Sequence, residues 1–153
     1  EGQWESCLKQ LDTAMKIRKT PPEYNLMAGE CKMLLGSYKE AVHYFSSVVR
    51  SRPRNAAGWE ALIRCLYTGG FYEEGLEQAE AALRATQGKS LFLFYRSAIL
   101  FAAGKSKEGL LQLEEAMERS PKQLKKFVEL NPAILQNQTV VDLVARFKRN
   151  KSI

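Results

Sequence analysis

The stretch Leu35-Gly36-Ser37-Tyr38-Lys39-Glu40-Ala41-Val42-His43-Tyr44-Phe45, closing at Pro53, decides how this chain folds. Its glycine-led pattern returns as Gly70-Phe71-Tyr72-Glu73-Glu74-Gly75 and again as Gly104-Lys105-Ser106-Lys107-Glu108-Gly109. Gly36, Gly70 and Gly104 stand 34 residues apart, and one more step back lands on Gly2, followed by Trp4. Glycines in one register at a period of this size mark stacked structural repeats.

Between the glycines the apolar residues recur at helical spacing. From Trp4 to Arg18 they fall at Trp4, Cys7, Leu8, Leu11, Ala14, Met15 and Ile17, one face of a helix, and Thr20-Pro21-Pro22 stops it. In register this is the second helix of a unit whose first helix is missing. The chain also begins without Met, so it reads as a piece of a longer protein. An apolar edge left uncovered at the N-terminus predicts either further repeats upstream or self-association. The next unit opens at Pro22, which suits a first helical turn. Its helices are expected over about 23–35 and 38–51. Gly29 inside the first costs about 1 kcal/mol against Ala, which predicts close approach of a neighbouring helix. The following units read as 56–68 with 72–85, and 90–103 with 106–119, joined by short turns that favour antiparallel hairpins. The β-prone pairs and runs, Val48-Val49 and Leu91 to Tyr95, sit inside helical register. The predicted organisation is therefore all-α: about three and a half units over 1–121 (2–19, 22–55, 56–89 and 90–121), then capping helices over 122–153. In that cap, Leu124, Phe127, Val128, Leu130, Ile134 and Leu135 are expected to cover the last unit's exposed edge.

Hydrophobic residues make up 45% of the chain and charged residues 26%, ordinary values for soluble globular proteins. No apolar run approaches the roughly 20 residues needed to cross a bilayer, and Glu1-Gly2-Gln3-Trp4 does not read as a secretory signal. Cys7, Cys31 and Cys65 are odd in number and widely spaced, which argues against a disulfide framework or a zinc site. They read as small buried hydrophobes in a reduced, cytoplasmic protein. Of the net charge of +6, residues 122–153 carry +5, with seven Lys/Arg against Glu129 and Asp142.

Nothing in the chain assembles a catalytic constellation. His43, the single histidine, falls outward between the core positions Ala41 and Phe45. Glu73-Glu74 and Glu114-Glu115 lie on second helices and read as solvated faces. There is no phosphate-binding glycine loop and no metal-spaced cluster, so a non-catalytic protein with no cofactor or metal is expected. The basic tail around Arg146, Lys148 and Arg149 interleaves one aromatic residue, Phe147, on its helix's apolar face. Nucleic-acid binding would need phosphate contacts with base stacking, and cations favour a helix C-terminus in any case. A solvated cap is the expectation here, with an anionic partner as the alternative.

A 34-residue helix–turn–helix punctuated in this way resembles the tetratricopeptide repeat. The middle unit supplies Trp59 and Leu62. The unit before it supplies Gly29, Ala41, Phe45 and Pro53, and the one after it keeps Ala116 and Pro121. Gly75 with Ala79, Gly109 with Leu113, and Gln87 in place of a proline depart from the pattern. The look of the chain, including its ending, is similar to repeat proteins of Bacteroidetes-type bacteria. The resemblance implies a right-handed α-solenoid whose first helices line a concave groove that binds a protein or peptide, or an accessory domain of a multidomain protein. Chaperone-binding members clamp a terminal carboxylate with Lys, Asn and Arg. Leu26, Glu30, Ala61, Leu91 and Tyr95 stand at the corresponding places, so that clamp is not expected.

With Trp59, Leu62 and Leu66 turned toward their own unit, the remaining inward stripe of the first helices, Leu34 and Ala61 among it, becomes the predicted groove. Met27, Met33, Tyr67, Phe94, Tyr95 and Phe101 are its expected anchors, with Glu30, Glu60 and Arg64 setting orientation. An exposed apolar stripe marks a partner site. The competing expectation is that the final helix or neighbouring loops fill it around Phe94, Tyr95 and Phe101.

Overall fold

The computed structural model describes residues 2–17 and 21–151, with side chains over 3–10 and 21–150. The expectations for the side chains of Leu11, Ala14, Met15 and Ile17, and for the helix end at Arg18 to Thr20, lie outside the described residues. Contacts divide the chain into two compact units, 1–71 and 72–153. The first holds α1 (Gly2–Ile17), α2 (Pro22–Leu34), α3 (Tyr38–Ser51) and α4 (Ala56–Thr68). The second holds α5 (Tyr72–Ala85), α6 (Ser90–Ala102), α7 (Ser106–Arg119), α8 (Leu124–Leu130) and α9 (Gln138–Lys151). Two 3-10 turns, Pro121–Gln123 and Pro132–Gln136, flank α8. No strand occurs among the described residues.

The repeated glycines are helix caps. Gly36, Gly70 and Gly104 take φ of +80°, +82° and +82°, a left-handed conformation that favours glycine. At the first of them, Ser37 N–H donates to the Lys32 carbonyl at 2.8 Å and Gly36 N–H to the Met33 carbonyl at 2.9 Å. Phe71 N–H to the Leu66 carbonyl and Lys105 N–H to the Leu100 carbonyl repeat the Ser37 bond, each at 2.8 Å. This paired pattern satisfies the last carbonyls of the helix and turns the chain sharply. α4 is fixed at its start as well: the Asn55 side chain accepts from Ala57 N–H at 2.9 Å, and Trp59 Nε1 donates to the Pro53 carbonyl at 2.7 Å.

In the first unit Gly29 faces the Phe45 ring, where a Cβ would collide with it. That contact is the close approach its position predicted. Ala41, Phe45, Val48 and Val49 of α3 are buried, as are Trp59, Leu62, Cys65 and Leu66 of α4. In the second unit α6 is the central element, with every residue from Leu91 to Leu100 buried except Arg96. Arg96 bonds Gln112 Oε1 at 2.6 Å and Glu80 Oε1 at 3.3 Å, and the buried Ser97 hydroxyl donates to the Gly109 carbonyl at 2.7 Å. The cap packs as part of this unit: Phe127 of α8, fully buried, sets its ring 6.3 Å from that of Phe94 and 6.4 Å from that of Phe101.

Candidate functional site

In the first unit, the turns that fold α2 back on α3 and α3 onto α4 leave the first helices of two successive repeats, α2 and α4, beside each other. Between them opens a cleft of about 210 Å³, lined by Glu30, Met33, Leu34, Phe45, Ala61 and Arg64. Phe45, itself buried, forms part of its lining from α3. Leu34 is 61% exposed and Met27, on the same helix, 47%, so α2 presents apolar side chains to solvent at the cleft's margin. Glu30 and Arg64 are exposed and give the cleft one acid on α2 and one base on α4. An apolar cleft with a few fixed charges is the usual composition of a recognition site.

The structure thus brings together Glu30, Met33 and Arg64 of the predicted groove residues. Met27 lies exposed on α2 outside the lining, and Glu60 and Tyr67 are half-buried on α4, also outside it. Leu34 and Ala61 belong to the site but were not expected as anchors, although both fall on the sequence's inward stripe. Phe45 carried no such signal, because its place in the repeat marks it only as core.

Three predicted anchors need correction. Phe94 and Tyr95 are 0% and 2% exposed and belong to the core of the second unit. Phe101 is half-buried, with Gly109 on one side and the Phe127 ring on the other. For Phe94 and Phe101 the physical reason is Phe127 of α8, which occupies the space that the open-groove expectation left to a partner, while the Tyr95 ring packs edge-on to that of Phe92 at 6.3 Å. Of the catalytic candidates discounted above, His43 is exposed and its ring meets that of Tyr44 edge-on at 6.1 Å. No cluster of three or more potential metal ligands occurs among the described residues, and no helix among them is long and apolar enough to cross a membrane.

Solved structures with this arrangement exist. The chain superposes on YrrB, a TPR protein with an unusual peptide-binding site, with a TM-score of 0.67 at 16% identity, over 80% of this chain and 63% of that one. It spans less than two thirds of that protein. MamA matches with a TM-score of 0.68 at 12% identity over 99% of this chain and 92% of that one. TTC0263, a thermophilic TPR protein of Thermus thermophilus, matches at 0.57 and 18% identity, over 99% of this chain and 92% of that one. No protein-family model matches the sequence, and no curated protein matches it. Paired helices, glycine caps in a 34-residue register and these likenesses together define the tetratricopeptide-repeat fold, an α-solenoid. The Bacteroidetes resemblance finds no support among these structures.

Proposed function

We propose that the chain is a non-catalytic protein–protein interaction module, and that the α2–α4 cleft holds a helix or extended segment of its partner. One observation carries this reading: Met33, Leu34 and Ala61 with Phe45 form an apolar lining, and Glu30 and Arg64 flank it with opposite charges. Apolar side chains of a partner segment would supply the affinity, at ~25 cal/mol per Å² buried before the costs of association. The two charges would fix its direction. A Met33→Glu, Leu34→Glu double variant is expected to keep the parent's helical circular dichroism and to lose the partner that the parent captures and that mass spectrometry identifies. Retention of that partner by a folded double variant would contradict the reading.

A second reading rests on the other unit. Met117, Pro121, Leu124 and Phe147 line a cleft of about 210 Å³ that Lys122 and Lys148 complete, both lysines belonging to the segment that carries most of the net charge. It fits an anionic partner segment. Binding there would weaken steeply between low and moderate salt, as ion pairing does, and a salt-independent Kd would remove it.

A further inference from the structure

α1 and α2 meet through two thiols. Cys7 and Cys31 lie with their Sγ atoms 3.5 Å apart, Cys31 buried and Cys7 half-buried, in a cluster with Leu8, Ala28, Leu35 and Tyr44. The repeat register explains the pairing. One period on, the same two positions hold Ala41 and Cys65, and two periods on they hold Gly75 and Ile99. Gly75 backs directly onto Ile99, whose Cδ1 would stand 3.1 Å from a Cβ placed there. Cys65 reaches α3 one turn before Ala41, where its Sγ donates to the Tyr38 carbonyl at 3.6 Å. The register therefore sets a small residue of one helix against an inward residue of the next. Among the described residues, the α1–α2 step is the one where both are cysteines.

We propose that Cys7 and Cys31 are an oxidisable pair that closes to an intrachain disulfide tying α1 to α2, while Cys65 stays a thiol. Bringing the sulfurs from 3.5 Å to the ~2.05 Å of a disulfide needs a small side-chain movement. With a low-molecular-weight disulfide as oxidant, the more exposed Cys7 attacks as thiolate, forms a mixed disulfide and expels one small thiolate. Cys31 then gives up its proton and attacks the Cys7 sulfur, expelling the second. The pair loses two electrons, and the oxidant is reduced to two thiols. Burial first, and then the neighbouring Cys7, push the Cys31 thiol up to about 11. A thiol so held down seldom starts the exchange, which assigns the opening attack to Cys7. Closure would fix the helix that supplies Glu30, Met33 and Leu34 to the cleft, but the proposal stands without that site.

The test is to incubate the dilute native chain with oxidised glutathione, then count free thiols in denaturant and map the linked peptides. The expected result is a fall from three free cysteines to one, with Cys7 linked to Cys31 in the monomer. A Cys65→Ala variant still closes, and a Cys7→Ser variant forms no intrachain link. Arrest at a glutathione adduct of Cys7, thiol loss spread onto Cys65, links between chains, or no thiol loss would each overturn the proposal.

Discussion

Gly29 and Gly75 both lie inside helices and both back onto a neighbour, yet a methyl group meets different obstacles at the two places. At Gly29 it strikes the ring of Phe45, a rigid side chain with no exposed surface. Gly29→Ala is expected to cost about 1–3 kcal/mol, the usual penalty of overpacking. At Gly75 it meets the Cδ1 tip of Ile99 at 3.1 Å, an end that can turn aside. The ~1 kcal/mol gained in helix propensity then leaves Gly75→Ala at or above the parent's stability. Urea unfolding of the two variants checks both; equal losses would mean that the ring of Phe45 yields as readily as Ile99. Gly29 was legible in the sequence because an interior helix glycine demands a reason. The Cys7–Cys31 contact was not read there, although the register that produces it was already visible in the spacing of Cys31 and Cys65.

Among the elements, α6 shows where legibility ends. Its sequence, Ser90-Leu91-Phe92-Leu93-Phe94-Tyr95-Arg96-Ser97-Ala98-Ile99-Leu100-Phe101-Ala102, is apolar on nearly every side, with Arg96 and Ser97 its interior polar residues. A helix hydrophobic all round gives its periodicity no direction to report, except that it is buried. The helix and its ends could be read, but not which face α8 would cover. α8 itself announced an apolar face as Leu124, Phe127 and Val128, without saying that Phe127 would seat against Phe94 and Phe101. α2 and α4 lie at the other extreme, since their stripes are interrupted by Glu30 and Arg64 and so point outward where the cleft forms. The structural role of α8 predicts that Phe127→Ala destabilises the chain by about 3–5 kcal/mol, as aromatic deletion from a core does. Thermal melts would show it, and a melt unchanged from the parent would return Phe94 and Phe101 to the list of groove residues.

For the molecule as a whole, the 34-residue period determines most of what is observed, because the left-handed glycine caps at 36, 70 and 104 and the small interior residues Ala41, Gly75 and Gly109 recur by it. The two clefts are where the period is put to use or broken: one lies between first helices in the first unit, the other where the repeat gives way to the cap. Placing a photoreactive amino acid at Leu34 in one chain and at Leu111, which is 68% exposed on α7, in another tests whether the partner lies in the α2–α4 cleft. With the captured partner bound, cross-linking is expected from position 34 and none from position 111. Cross-linking from 111 with none from 34 would contradict that placement.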